Sequence, residues 1–141
     1  MNTIFVNELK SKVYSNLSDR DMAKVCLAII EHVSIGPSKK SHLTFIDLYS
    51  ISPTVNEAVF YEAVFYLTRK NIDVLEQQFE AIEPRTCSFQ SIPNRDSFIE
   101  DMRDGELYNP FIGNPLSEEE FGKQVLTYFS PSKCFVEKIN E

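Results

Sequence analysis

The stretch 58–81, AVFYEAVFYLTRKNIDVLEQQFEA, changes its hydrophobic period half-way along. Its first half writes Ala-Val-Phe-Tyr twice, from Ala58 to Tyr61 and from Ala63 to Tyr66. At about 100° per residue, Phe60, Ala63, Val64, Leu67 and Asn71 fall on one side of a helix, while Ala58, Tyr61, Glu62, Phe65 and Arg69 fall on the other. This spacing predicts a helix from Thr54 or Val55 to Lys70, left through the turn Asn71-Ile72-Asp73. The second half alternates: Leu75, Gln77, Phe79 and Ala81 share one face and Glu76, Gln78 and Glu80 the other, which is a strand. Glu83-Pro84-Arg85 then reads as a hairpin tip, with Thr86 to Gln90 as the returning strand. The helix has too many aromatic residues for one buried side. If Phe60 and Val64 face the core, Tyr61 and Phe65 need a different surface.

Upstream, Phe5, Leu9, Val13 and Leu17 recur every four residues and predict an amphipathic helix over 4–17, with Lys10 and Lys12 near its wet side. Ser18 reads as the N-cap of a second helix. That helix carries Met22, Val25, Cys26, Ile29 and Val33 at the spacing of a buried face, and Gly36-Pro37 ends it. After the polar turn Ser38-Lys39-Lys40-Ser41, His42-Leu43-Thr44 suits a short strand. Phe45 to Tyr49 gives barely two helical turns before Ser52-Pro53-Thr54 interrupts them.

Helix, short strand, short helix, long helix and β-hairpin is the order of a winged helix-turn-helix domain, and from about Asp19 to Ile92 the chain resembles that superfamily. The match is closest at Asp47-Leu48-Tyr49-Ser50-Ile51-Ser52, the long helix, and Asn71-Ile72 before the strand. The resemblance implies that the long helix is the recognition helix and Glu83-Pro84-Arg85 the wing. The expected fold class is mainly α with a small β-hairpin: a winged-helix core over residues 1–92, including the N-terminal helix, with a helical extension over 93–141 packed on it.

In that extension Asn94 is placed to cap a helix carrying Phe98, Ile99 and Met102, closed by Gly105. Leu107 to Pro115 reads as a loop whose Tyr108 and Phe111 pack down. Ser117 as N-cap, Glu120 as its capping-box partner, and Leu116 with Phe121 as a hydrophobic staple mark the next helix start. Phe121, Val125 and Phe129 are expected along one face of that helix. Ser130-Pro131 is expected to open a last short helix carrying Phe135 and Ile139.

The totals bound the function. A chain of 141 residues that is 43% hydrophobic can fill one core. Its net charge of -7 is uneven, with residues 1–50 near balance and each later third carrying twice as many acids as bases. Such a balance opposes generic attraction to phosphate backbones or anionic membranes and suits a basic protein partner. No apolar run approaches the roughly 18 residues of a membrane span, and the N-terminus lacks the features of a secretion signal, so a cytoplasmic location is expected. Cys26, Cys87 and Cys134 form no Cys-x-x-Cys pair and are read as reduced and mostly buried.

Chemistry is thinly represented. His32 and His42 are the only imidazoles, and neither sits in a nucleophile or metal motif. Gly36-Pro37-Ser38-Lys39-Lys40-Ser41 lacks the second glycine of a phosphate loop. Glu118-Glu119-Glu120 is ordinary first-turn helix chemistry. No catalytic, cofactor or metal site is therefore assigned, and the chain is read as a non-enzyme.

Outward aromatic residues beside an arginine are what anchors protein interfaces, because they bury large area at small entropic cost. Tyr61, Glu62, Phe65, Tyr66 and Arg69 are therefore the candidate interface of a small regulatory or adaptor subunit that binds another protein or a second copy of itself. The competing expectation is that this chain covers the face itself, since Phe5, Leu9, Phe121 and Phe129 also need a surface. One alternative is a DNA-binding regulator, with Lys39, Lys40, Arg69, Lys70 and Arg85 on phosphates and Asn56 reading a base; Glu57 and Glu62 on the recognition helix weigh against it. A second alternative is an acidic immunity or antitoxin protein, whose carboxylates from Glu76 to Glu120 neutralise a basic partner.

Overall fold

A computed structural model describes residues 2–141 of the chain. Among these, seven α-helices and a three-stranded antiparallel sheet are formed. The helices are α1 (Thr3–Asn16), α2 (Arg20–Ser34), α3 (Phe45–Ser50), α4 (Glu57–Tyr66), α5 (Arg95–Arg103), α6 (Glu118–Gln124) and α7 (Lys133–Ile139). The strands are β1 (Leu75–Glu83), β2 (Ser88–Ser91) and β3 (Val125–Pro131), in the order β2-β1-β3. No described helix is long and apolar enough to cross a membrane.

The chain divides into two compact units, and the division falls inside β1 and β3: residues up to Gln77 join Phe129–Glu141, and Gln78–Tyr128 form the other. A division after residue 92 does not describe these units. The C-terminal segment returns to the first unit, where Phe129, Phe135 and Ile139 enter the same core as Val13, Ile29 and Phe60.

The first unit is built on α2, whose Val25, Cys26, Ile29, Ile30 and Val33 are fully buried. Its N-cap is Asp19 and not Ser18, because the Asp19 carboxylate accepts from the amides of Asp21 (3.0 Å) and Met22 (3.2 Å). Gly36, at φ +58, takes the left-handed conformation that turns the chain into a single 3-10 turn at Pro37–Lys39. Leu43 then makes an isolated antiparallel bridge, exchanging backbone hydrogen bonds of 2.8 and 2.7 Å with Phe129. Thr44 and Asp47 form a reciprocal capping box that starts α3.

Helix α4 is shorter than its sequence period suggests. It starts at the Asn56 cap and ends at Tyr66, where the Thr68 hydroxyl bonds the Phe65 carbonyl at 2.7 Å. The Leu67 carbonyl accepts from the amides of Val74 and Leu75, both at 3.0 Å, so it is not used to continue the helix and the chain bends directly into β1. Asp73, at φ +55, completes that bend.

The second unit contains the hairpin in which Glu80, Ala81, Ile82 and Glu83 of β1 face Ser91, Gln90, Phe89 and Ser88 of β2. Its core is Phe79, Ala81, Phe98 and Val125, with Tyr108, Phe111 and Phe121 packed against it. The Phe98 ring lies 5.5 Å from both Phe79 and Tyr108 and stacks on Phe121 at 6.0 Å. The capping box of Ser117 and Glu120 is present.

Three local expectations in the C-terminal half are corrected. Asn94 lies in the left-handed region at φ 51 and makes no side-chain cap to α5. The helix begun at Ser117 stops at Gln124, and Val125 to Pro131 is extended, so Phe121, Val125 and Phe129 do not share a helix face. The last helix is capped by Ser132, whose hydroxyl oxygen accepts from the Phe135 amide at 3.0 Å, while Pro131 belongs to β3. Thus the segment 93–141 is not wholly helical.

A candidate protein-binding surface on α3 and α4

The double-aromatic helix buries one side and leaves the other in solvent. Phe60, Ala63, Val64 and Leu67 are buried, whereas Tyr61 and Phe65 remain 39% and 41% exposed. Tyr66 departs from the expected interface, because its ring is buried at 6% exposure and packs in the core of the first unit. Glu62 is exposed. Arg69 is exposed beyond the end of α4, with its guanidinium 5.3 Å from the centre of the Tyr66 ring.

Phe45, at the start of α3, fixes the exposed rings in place. It meets Tyr61 edge-to-face at 5.2 Å, Phe65 at 6.2 Å and Phe129 at 5.1 Å. Phe65 also lies 6.1 Å from Phe129. The chain therefore supports this face from beneath with Phe45 and Phe129 without covering it. Of the other candidate covers, Phe5 packs on Phe135, Leu9 is buried in the core of the first unit, and Phe121 packs against the core of the second.

Helix α3 adds residues that the sequence pattern did not single out. Ile46 is 81% exposed and Tyr49 45%, and Tyr49 makes an edge contact of 5.1 Å with Phe60. Phe45, Ile46, Tyr49, Glu57, Phe60 and Tyr61 line a notch of about 290 Å³. The signal was the one already seen in α4: Phe45 and Leu48 make one i,i+3 pair while Ile46 and Tyr49 make another, too many apolar positions for so short a helix with one buried face.

The polar groups of this surface are acidic. Glu57 lies in the first turn of α4 and accepts a 3.2 Å hydrogen bond from the Tyr61 hydroxyl. Partial burial, followed by that bond and the charge of Glu57, pushes the Tyr61 hydroxyl pKa up. Asp47 is held below the usual carboxylate range, first by the backbone hydrogen bond from Thr44 and then by its hydroxyl.

No protein-family model, curated protein or solved structure matches this chain.

The candidate DNA contacts are engaged separately. The side-chain Oδ1 of Asn56 accepts from the Ala58 amide at 2.9 Å, as the N-cap of α4. Lys40 donates to the His32 carbonyl, and Lys39 is exposed in the 3-10 turn. Lys70 lines a different concavity of about 360 Å³, together with Lys12, Lys138, Glu8 and Asp73. There Lys12 donates to the Asn71 carbonyl at 3.0 Å, and the Lys138 ammonium stands 5.5 Å from the Phe5 ring centre. Arg85 is exposed in the hairpin turn of the other unit.

The cysteines differ from expectation. All three are free thiols, but only Cys26 is buried; Cys87 and Cys134 are exposed. Burial pushes the Cys26 thiol up to about 12. Burial also lowers the pKa of His32, as does the charge of Lys40, with Asp47 acting in the opposite direction. Among the described residues no three His, Cys, Asp or Glu side chains are grouped to hold a metal ion.

Proposed function

We propose that this protein is a non-enzymatic interaction subunit, of regulatory or adaptor type, which binds another protein through the outer face of α3 and α4. The observation that carries this reading is the contiguous exposure of Ile46, Tyr49, Tyr61 and Phe65 around a ring, Phe45, that holds two of them edge-to-face. Large apolar side chains in mutual contact and open to water mark interaction sites more often than isolated ones do. Aromatic rings held by their neighbours also lose little freedom when a partner covers them.

The winged helix-turn-helix resemblance belongs to the same proposal. The order α2, Leu43, α3, α4, β1 supports it, as does the bridge between Leu43 and a strand that neighbours β1. In this frame β3 takes the returning position beside Leu43, and Gln78–Tyr128 is an insertion at the wing. Helix α4 then stands where a DNA reader would carry cations and amides, yet its outward side bears Tyr61, Glu62 and Phe65 beside Glu57. That chemistry favours a protein surface over a phosphate backbone.

The test is the double variant Tyr61→Ser with Phe65→Ser, checked for retained helicity by circular dichroism. Proteins co-purifying with the wild-type chain from its own cells should be lost from the variant, or the wild-type oligomer should dissociate. Unchanged partners and unchanged mass in sedimentation would refute the reading.

A further inference from the structure

The notch between α3 and α4 is apolar in its walls and acidic at its rim. Among the described residues that line it, Glu57 alone is charged. The Glu57 carboxylate uses one of its acceptor positions for the Tyr61 hydroxyl, at 3.2 Å, and has capacity for further donors. Asp47 and Glu62 add two more exposed carboxylates on the same pair of helices. On the α4 side the next cation along the chain is Arg69, which lies past the helix end over Tyr66, and on the α3 side His42 and His32 act on Asp47, whereas among the described residues no cation lines the notch beside Glu57.

We infer that the notch receives a segment of a partner protein combining one large apolar side chain with a neighbouring Lys or Arg, and not a second copy of this chain. The inference rests on reading the α3–α4 face as an interface. The apolar anchor fills the space among Phe45, Ile46, Tyr49 and Phe60, and the cation meets Glu57 at the mouth. Charge complementarity selects between the possible occupants. A two-fold contact between copies presents the same patch to itself, so Asp47, Glu57 and Glu62 of both copies would be gathered into one interface, and the described lining of the notch supplies no cation to offset them. Two chains of net charge -7 also repel before contact. A basic segment is instead attracted at long range and pays no like-charge penalty on docking.

Three synthetic peptides of equal length test this by amide chemical-shift titration of the full chain: an amphipathic Leu/Lys helix, its Leu/Glu counterpart, and a Gly/Lys peptide without apolar residues. The Leu/Lys peptide should shift the amides of Ile46, Tyr49 and Tyr61 saturably, and more tightly than either control. Ile46→Ser combined with Tyr61→Ser should weaken it at least about tenfold, as truncation of an interface anchor does. Ile46→Ser alone, at the most exposed site, gives the same direction should the double variant misfold. Glu57→Gln with Glu62→Gln should weaken binding about threefold and flatten its salt dependence, the scale of exposed charge pairs. Glu118→Gln with Glu119→Gln, remote in the sequence and in the other unit, should leave it unchanged.

No saturable shift with Leu/Lys, equal binding by Gly/Lys, or equal loss in the Glu118 and Glu119 variant overturns the inference. Binding of the Leu/Glu peptide, or a dimer abolished by Ile46→Ser, overturns the basic partner but leaves the face as an interface. If partners also survive in Tyr61→Ser with Phe65→Ser, the interface reading fails with it.

Discussion

Asn109 is only 1% exposed and uses three of the four hydrogen-bonding positions of its amide. Its Nδ2 donates to the Ile82 carbonyl at 2.9 Å and to Gln124 Oε1 at 3.0 Å, and its Oδ1 accepts from the Phe111 amide at 2.9 Å. One side chain therefore ties β1, α6 and the Tyr108 loop together inside the second unit. Asn109→Ala leaves those groups unpaired and should cost about 1–3 kcal/mol, read as a fall in the urea midpoint of the transition that exposes Phe98. Cys26 makes a simpler prediction. With its thiol buried and its pKa raised to about 12, a disulfide reagent near pH 8 should titrate Cys87 and Cys134 in the folded protein and reach Cys26 only after denaturation. Asn109 could not be found in advance, because an Asn-Pro pair in a loop has the same sequence whether its amide points outward or inward. The burial of Cys26 followed from its place on the apolar stripe of α2; Cys87 and Cys134 lie on no such stripe.

Helix and strand are hard to separate wherever the spacing is four. Phe121, Val125 and Phe129 recur at that interval, which is about one helical turn and also an even number of strand residues. The pattern fits both periods. What separates them is composition, since Val125-Leu126-Thr127-Tyr128-Phe129 is rich in β-branched and aromatic residues and follows Gly122, whereas the capping box at Ser117 specifies only where the helix starts. The change of period between Tyr66 and Leu75 was readable because alternation over Leu75 to Ala81 admits no helical face. For the surface, the excess of aromatics in α4 was readable, but the contribution of α3 depends on Phe45 reaching across to Tyr61 and Phe65, a contact between elements. Ser132 carries the matching test of stability. Its hydroxyl donates to the Asp73 carbonyl at 2.7 Å while its oxygen accepts from the Phe135 amide, so it caps α7 and secures the bend before β1. Ser132→Ala should destabilise the first unit by about 1–2 kcal/mol in chemical unfolding, and Ser132→Thr, which keeps the hydroxyl, by less. The capping box of α3 has a signature in pH. The Asp47 pKa is depressed in the folded state from an ordinary value of 3.8, so its contribution is present above that value and is lost as pH falls through the lowered one. Urea midpoints of Asp47→Asn should therefore change less than those of the wild type below about pH 4.

At the scale of the molecule, the two units share one path of chain, entered through β1 and left through β3. The Thr127 hydroxyl donates to the Gln78 carbonyl at 3.2 Å, so the points where the chain passes into and out of the second unit are adjacent. All residues of the first core, from Val6 to Leu75 and from Phe129 to Ile139, lie outside the segment between them. An inserted unit with close ends and a separate core can be removed without asking the remaining chain to close a long gap. Replacing Phe79–Leu126 by Asn-Gly, the residues of a two-residue hairpin turn, should leave β1 and β3 paired and the first unit folded. Amide exchange reads this directly: slow exchange at Val25, Ile29, Phe60 and Val64 should persist in the shortened chain, because each is buried among residues that remain. Global loss of that protection would mean that the two cores unfold as one cooperative body. Retention would also isolate the α3–α4 face on a smaller protein, in which the response of Ile46 and Tyr61 to the Leu/Lys peptide should be undiminished.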